Sequence, residues 1–165
     1  MKIIVAADSR WGIGKNNKLL VSIPSDMRFF RETTSGCTII MGRKTLESFP
    51  GGRPLKNRRN IVLTSDPACV VPGAEVAHSV QEALELIRDE DPDRVFCIGG
   101  GSIYRQFLPC CDTAYVTKID HVYEADSYFP DLDADEEWEI TSQSEEQTYF
   151  DLTFHFLTYT RRRKG

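Results

Sequence analysis

The sequence predicts a single α/β domain built on a mainly parallel sheet, and two features of the chain support this. Apolar, β-rich segments that favour strands alternate with amphipathic segments that favour helices. Parallel neighbours in a sheet need a crossover connection, so this alternation is typical of a parallel sheet with helices on its faces. The chain has 165 residues, 41% of them hydrophobic, which suits one domain with a buried core.

The elements are predicted from local pattern, taken in chain order. Strands are predicted at 2–7, 38–41, 60–64, 94–98, 113–119, 138–144 and 148–160. A helix over 24–34 opens with Pro24, which suits a first helical position. A second helix over 80–88 has apolar residues at helical spacing, and a third covers 102–108. The last two strands are expected to form one hairpin that adds antiparallel edges.

Charge and composition restrict the partners of the chain. The net charge of −5 argues against a nucleic-acid partner. Basic residues concentrate within 43–59 and acidic residues within 124–139, which suits either a site for small anions or two solvated surfaces. The basic run at 161–164 is expected to be a frayed end.

We expect no segment of the sequence to cross a membrane and no signal sequence at the N-terminus, because no stretch is long and apolar enough for either. The five cysteines show no spacing typical of a metal site, so we expect reduced thiols, a cytoplasmic location and no metal.

The carboxyl ends of the predicted strands carry groups that suit a nucleotide, and ligands of α/β sheets bind at that edge. Strand 94–98 leads into Gly99, Gly100 and Gly101 and then a helix, an order that lets backbone N–H groups approach phosphate. Taken alone, three glycines more often form a tight strand-to-helix turn. Arg43 to Thr45 and Thr64 to Ser65 follow two other strands. Such donors suit a pyrophosphate and an extra ribose phosphate, which favours NADP over NAD. The loop at 12–14 is expected to be flexible.

Asp26 is the candidate catalytic residue. Helical spacing places it on one face with Phe30 and beside Met27. An acid in a first helical turn can simply stabilise the helix dipole. A carboxylate held among apolar groups would instead have a raised pKa, which suits acid-base chemistry or recognition of a heterocycle with an amidine-like edge.

Seven motifs in one order make the chain resemble the bacterial dihydrofolate reductases nearly from end to end. They are IGKNNKL (13–19), IPSDMRFF (23–30), IMGRKT (40–45), RPL (53–55), RRNI (58–61), IGGGSIY (98–104) and FP (129–130). The resemblance implies an eight-stranded sheet, mainly parallel with an antiparallel C-terminal strand, flanked by four helices. It also implies NADPH-dependent hydride transfer to C6 of 7,8-dihydrofolate with protonation of N5, which gives tetrahydrofolate. Dihydrofolate and antifolate inhibitors are the implied ligands, and a monomer is the implied state.

The resemblance assigns residues to the substrate. Asp26 would bind the 2-amino group and N3 of the pterin, Thr117 would support that carboxylate, and Arg58 would bind the α-carboxylate of the glutamate. The remaining substrate-binding residues are Val5, Ala6, Leu19, Met27, Phe30, Phe49, Leu55, Ile98 and Tyr104.

The resemblance assigns a second set of residues to the cofactor. Ala7 and Ile13 would contact the nicotinamide carboxamide, and Tyr104 would lie near that ring. Arg43, Thr64 and Ser65 would hold the 2′-phosphate. The pyrophosphate would be held by Lys44, Thr45, Gly100, Gly101, Ser102 and Ile103. Gly14, Gly42, Leu63, Ile98 and Gly99 complete the set, and a cis peptide bond is expected between Gly99 and Gly100.

Two positions depart from the family pattern. Leu19, Leu20 and Val21 stand where the family commonly has Leu-Pro-Trp, and Ser102 stands where an arginine often follows the glycines. Two other functions remain open on the sequence. One is a pyrimidine reductase of riboflavin synthesis, against which Asp26 and Arg58 argue, and the other is a non-catalytic nucleotide or pterin binder.

Overall fold

The central feature of the molecule is a twisted sheet whose main path contains eight strands. A computed structural model of the chain describes residues 1–162. The strands are β1 (Lys2–Ala7), β2 (Gly12–Lys15), β3 (Lys18–Leu19), β4 (Thr38–Gly42), β5 (Arg59–Leu63), β6 (Glu75–Ala77), β7 (Val95–Cys97), β8 (Thr113–Ile119), β9 (Ser127–Tyr128), β10 (Trp138–Gln143), β11 (Gln147–Tyr149) and β12 (Leu152–Arg161). The helices are α1 (Pro24–Thr34), α2 (Arg43–Glu47), α3 (Val80–Leu86) and α4 (Gly101–Phe107). Single 3-10 turns occur at Pro50–Gly52, Pro92–Arg94 and Leu108–Cys110.

The strand order of the main path is β10-β12-β8-β1-β7-β4-β5-β6. The pairs from β8 through β6 are parallel, whereas β12 is antiparallel to both β8 and β10. The predicted mainly parallel sheet with an antiparallel C-terminal strand and four helices is therefore confirmed. Because β1, β4, β5 and β7 run in the same direction, the residues that follow them meet at one edge.

The central strands are buried in the interior, which explains why their sequences are continuous apolar runs. Both faces of the central strands are covered, and β4 is buried along its whole length. One core cluster includes Ile3, Val116 and Phe107, and a second includes Ile39, Met41 and Phe96. Cys37 and Cys97 are buried among these residues, as expected, and the five cysteines are free thiols.

Two predicted segments differ from the structure. The expected strand at 148–160 is divided by a tight turn at Phe150 and Asp151, so that β11 and β12 form a hairpin of their own. Phe150 has a φ of 52° and is largely exposed, and an apolar residue gives no turn signal in the sequence.

The segment at 12–14, expected to be a flexible loop, belongs to β2, which pairs with β3 and β9 in a small second sheet. Asn16 and Asn17 both have positive φ and form the two-residue turn between β2 and β3. This is the backbone conformation that a tight hairpin turn requires, and asparagine adopts it more readily than most residues.

The expectation of a frayed basic end is wrong for Arg161. This residue ends β12 opposite Trp138, and its guanidinium lies 4.6 Å from the centre of the Trp138 indole. Its Nη1 also lies 2.9 Å from Oε2 of Glu137. Positions 163 and 164 of the same basic run lie outside the described residues.

Candidate active site

Asp26 lies in the first turn of α1, half-buried against the sheet. The hydroxyl of Thr117 on β8 donates a hydrogen bond of 2.6 Å to Oδ1 of Asp26. Burial raises the pKa of Asp26, and the hydrogen bond from Thr117 opposes this shift only in part. The structure thus brings together a carboxyl group and a hydroxyl group that are 91 positions apart, in a setting that favours a protonated acid.

An apolar wall lies beside this pair. Phe30 from α1 packs against the same core cluster as Phe49, Leu55 and Ile98. Val5 is buried on β1, and the next residue, Ala6, is opposite Thr117 in the strand register. These predicted substrate residues therefore come from α1, β1, the end of β7 and the segment after α2.

Arg58 carries an unsatisfied group at the other end of the wall. Its guanidinium lies 5.9 Å from the centre of the Phe30 ring, and its Nη2 donates to the carbonyl oxygen of Arg31 at 3.4 Å. Its Nε is buried and finds no partner among residues 1–162. Burial, together with the nearby charge of Arg31, lowers the pKa of Arg58. A carboxylate would satisfy both the free N–H group and the charge.

Met27 and Leu19 stand apart from this wall. Met27 is 51% exposed, and its sulfur accepts a hydrogen bond of 2.9 Å from the hydroxyl of Ser22. Leu19, on β3, is 67% exposed and lines a small cavity with Ala6 and Ile13. Both side chains are therefore largely exposed, and their assignment to the substrate stays a prediction.

The backbone segments at Gly42 and Gly99 lie close together at the edge of the sheet. The N–H of Gly42 donates to the carbonyl oxygen of Gly99 at 2.8 Å, and the Gly99–Gly100 bond is cis, as expected. A Cβ on Gly42 would lie 2.9 Å from Cγ1 of Ile103, which leaves no room for a side chain. Gly99 has a φ of 114°, and a Cβ there would lie 3.0 Å from the Tyr104 ring. Tyr104 is itself fixed by donating from its hydroxyl to the carbonyl oxygen of Ile4 at 2.8 Å.

The predicted phosphate donors lie on both sides of these two glycines. Arg43, Lys44 and Thr45 open α2 directly after Gly42, and Thr45 Oγ1 would lie 3.8 Å from a Cβ on Gly100. Thr64 and Ser65 follow Leu63 at the end of β5, next to β4 in the sheet. Gly101 begins α4, and the hydroxyl of Ser102 accepts from Gln106. The predicted donors from three strand ends therefore share one edge.

The small second sheet borders the same edge. Ile13 and Gly14 lie on β2, and Ala7 ends β1 next to it. A carboxylate of Asp126 accepts from the N–H of Asn16 at 3.0 Å, and the N–H of Asp126 donates to the carbonyl oxygen of Gly14. These two hydrogen bonds tie the β2–β3 hairpin to the segment before β9.

Three carboxylates that organise the site were missed in the sequence. Asp8 is 1% exposed and accepts from the N–H groups of Arg10, Gly12 and Tyr123. Asp126 fixes the β2–β3 hairpin, and Asp66 contacts Arg43. Asp66 directly follows the predicted donors Thr64 and Ser65, which was the one sequence signal available for any of the three.

Two further findings concern the described part of the chain. None of its helices combines the length and the apolar character needed to span a membrane. Residues 1–162 contain no group of three or more His, Cys, Asp or Glu side chains able to hold a metal ion.

Fold and site together define an α/β protein with candidate phosphate donors at the strand ends and a half-buried acid on α1, an arrangement that suits a nucleotide-dependent enzyme. The family model described as dihydrofolate reductase matches residues 1–161. The dihydrofolate reductase of Bacillus subtilis (strain 168) is 39% identical, covering 98% of this chain and 95% of that protein. That of Staphylococcus haemolyticus is 40% identical, covering 98% and 96%. The chain therefore belongs to the dihydrofolate reductase family, NADPH-dependent oxidoreductases that reduce dihydrofolate.

A solved structure agrees with this assignment. The dihydrofolate reductase from Enterococcus faecalis, complexed with NADP(H) and RAB-propyl, superposes with a TM-score of 0.87 at 35% identity, covering 98% of this chain and 96% of that one.

Proposed function

We propose that this chain reduces 7,8-dihydrofolate to tetrahydrofolate with NADPH, and that Asp26 directs the reaction. A hydride is added at C6 and a proton at N5, so the C6–N5 double bond becomes a single bond. The observation that carries the proposal is the Asp26–Thr117 pair, a half-buried acid with a raised pKa on the same helix as Phe30.

Asp26 has two tasks in this proposal. Its carboxyl group binds the 2-amino group and N3 of the pterin, which are the complementary donors for a carboxylate. Burial raises its pKa, so the carboxyl group keeps its proton to higher pH than an exposed aspartate does, which suits a role in protonation of N5. Thr117 holds Oδ1, so Oδ2 is left to face the substrate.

The apolar wall and Arg58 bind the rest of the substrate. Val5, Phe30, Phe49, Leu55 and Ile98 contact the pterin and aminobenzoyl rings, with Ala6, Leu19, Met27 and Tyr104 at the borders. Arg58 binds the α-carboxylate of the glutamate, because its buried Nε has an N–H group free to donate. The guanidinium also lies 5.9 Å from the centre of the Phe30 ring, a cation–π distance that favours this position.

The residues at the edge of the sheet fit NADPH, which supplies the hydride when bound. Arg43, Thr64 and Ser65 offer donors to the 2′-phosphate. Lys44, Thr45, Gly100, Gly101, Ser102 and Ile103 hold the pyrophosphate, where the missing side chains of the glycines let backbone approach. Ala7, Ile13, Gly14, Gly42, Leu63, Ile98, Gly99 and Tyr104 complete the contacts. The β2–β3 hairpin excludes water from the cleft.

The decisive experiment mixes the purified chain with NADPH and dihydrofolate and follows the loss of reduced-nicotinamide absorbance. We expect continuous turnover that requires both reactants. Absence of turnover with binding of both ligands would favour a non-catalytic binder. Turnover of a riboflavin-pathway pyrimidine in place of dihydrofolate would favour the alternative reductase.

The proposal extends to the state of the protein. We propose one domain over 1–165, a monomer in the cytoplasm that binds antifolate inhibitors in the pterin cleft and does not bind nucleic acid. Free thiols suit a reducing compartment, and the net charge of −5 disfavours a polyanion. Light scattering during gel filtration measures the mass in solution and tests the monomer.

A further inference from the structure

Arg43, the proposed reader of the 2′-phosphate, is already paired with two carboxylates. Its Nη1 lies 3.4 Å from Oδ2 of Asp66, and its Nε lies 3.3 Å from Oε1 of Glu47. The Glu47 contact is within α2 at i,i+4 spacing, whereas Asp66 comes from the turn after β5. The guanidinium therefore has an internal anion on the side from which Thr64 and Ser65 approach.

Asp66 is held in this position by its own turn. Its Oδ1 accepts from the N–H of Ala68 at 2.9 Å, and its N–H donates to the hydroxyl oxygen of Thr64 at 3.2 Å. The second oxygen, Oδ2, is the one that contacts Arg43. Because Oδ1 is occupied by the turn, the carboxylate cannot turn away from Arg43 without breaking a hydrogen bond.

A phosphate bound between Arg43 and Thr64 must meet this carboxylate. Two anions cannot share the same donors of one guanidinium without repulsion, and both side chains are about half exposed, so the repulsion is only partly screened by water. A ribose without a 2′-phosphate leaves the ion pair intact. The carboxylate therefore affects binding of the phosphorylated dinucleotide alone.

We propose that Asp66 is a specificity-determining residue whose carboxylate competes with the 2′-phosphate of NADPH for Arg43. The proposal rests on the proposed function of this site. Binding of NADPH must loosen the Asp66–Arg43 pair, so Asp66 lowers the affinity for NADPH. Because NADH has no 2′-phosphate, Asp66 also reduces the preference of the protein for NADPH over NADH. A carboxylate that only orients the guanidinium would have the opposite effect, because it would strengthen the binding of NADPH.

The test is the variant Asp66→Asn, in which the amide oxygen can still accept from Ala68 while the charge is removed. Calorimetric titration measures binding of NADPH and of NADH to the variant and to the parent protein at low salt. We expect about three- to tenfold tighter binding of NADPH and less than about twofold change for NADH. The gain should shrink to less than about twofold near 0.5 M salt, because the Debye length is then only a few Å.

Asp89→Asn is the matched control. It changes the net charge equally, but Asp89 is an exposed residue after α3, 4.0 Å from Nε of Arg88. We expect it to bind both cofactors as the parent does. Equal tightening in both variants would mean a general charge effect and would overturn the proposal.

Unchanged or weaker binding of NADPH by folded Asp66→Asn would also overturn it, and weaker binding would make Asp66 an orienting residue. Thermal melting verifies folding. If Asn does not fold, Asp66→Ser removes the same charge and keeps an oxygen for the turn. Because the readout is binding, failure of the parent protein to turn over dihydrofolate would count against the proposed function and leave this comparison interpretable.

Discussion

The hydroxyl of Thr117 on β8 donates a 2.6 Å hydrogen bond to Oδ1 of Asp26 on α1, so the sheet fixes the direction of the acid. The bond stabilises the charged carboxylate, while burial stabilises the protonated acid. Burial is the larger effect, and the pKa of Asp26 is raised. The same pair therefore sets both the orientation of the acid and the pH range over which it keeps a proton.

Replacing Asp26 by Asn should remove most of the reductase activity. We expect a loss of at least about 100-fold in kcat at neutral pH, the usual size of an acid-base contribution, with the remaining rate rising steeply as pH falls. NADPH affinity should be unchanged. Steady-state rates across pH measure this, and near-normal turnover of the variant at neutral pH would refute the role of Asp26.

The same variant should not be less stable than the parent. A carboxyl group with a raised pKa in the folded state binds more protons there than in the unfolded chain, so its contribution to stability falls as pH rises through that range. The amide has no charge to bury. Urea unfolding at neutral pH should therefore give an equal or higher midpoint for Asp26→Asn, and a clear decrease would contradict the assignment of a buried, unfavourable charge.

Thr117→Val should move the pH dependence of turnover to higher pH. The hydroxyl lowers the pKa of Asp26, so its removal lets burial raise that pKa further. We also expect about a tenfold loss in kcat/KM, because the acid loses its fixed direction; this equals about 1.4 kcal/mol. Thr117→Ser restores the hydroxyl and should restore the profile. If the pH profile of Thr117→Val is not shifted, then the hydroxyl of Thr117 does not affect the titration of Asp26.

Arg43→Ala should weaken NADPH binding by about 1.5 to 3 kcal/mol, the usual size of a hydrogen bond to a charged group, and leave NADH nearly unchanged. The reason is that Arg43 begins α2 at the edge of the sheet and contacts Asp66 in the turn after β5. Titration of each cofactor measures the difference. Equal losses for NADPH and NADH would mean that Arg43 does not read the 2′-phosphate.

Val21→Trp should alter pterin binding without altering NADPH binding. Val21 packs beside Ile23, Ile119 and Phe154, and it lines a cavity of only about 10 Å³. An indole cannot fit there without moving its neighbours, and it adds an N–H donor near the cleft. We expect changed pterin affinity and pH dependence, with NADPH affinity within about 0.5 kcal/mol. A change confined to NADPH would mean that residue 21 is misplaced.

Arg59→Met should destabilise the protein, since Arg59 joins three elements at the opposite edge of the sheet. It contacts both oxygens of Glu75, at 2.5 and 2.8 Å, and lies 2.7 Å from Oε1 of Glu90. The hydrogen bonds from Arg59 lower the pKa of Glu75, so its contribution is present above the ordinary glutamate pKa and is lost as pH falls through the lowered value.

We expect Arg59→Met to lower the free energy of unfolding by about 1 kcal/mol at neutral pH, the upper end for partly exposed pairs, and by less in strong acid. Urea unfolding at the two pH values measures this. Arg88→Met, which removes an exposed arginine near Glu85, is the control and should change stability little. Equal effects at both pH values would mean that packing of Arg59, and not its charge, stabilises the sheet.

The local sequence pattern predicted those strands and helices in which apolar residues recur at regular spacing. The bounds predicted for β1, α1 and β8 agree with the structure residue for residue, because hydrophobic periodicity and Pro24 mark them within the segment itself. The motifs around Asp26 and the three glycines also sufficed to indicate the family, which the comparisons confirm. The assignment of each site residue stays a prediction until ligands are titrated.

Tertiary structure decided most of the side-chain pairs. The pairing of Asp26 with Thr117 was implied by the family resemblance and by no local pattern, whereas nothing in the sequence indicated that Arg43 pairs with Asp66. Likewise β2 was expected to be a loop, but it pairs with β3 and with β9, which lies more than a hundred residues away in the chain. Apolar pattern encodes how deeply a residue is buried, whereas hydrogen-bond partners and charge pairs depend on distances that exist only after the chain has closed on itself.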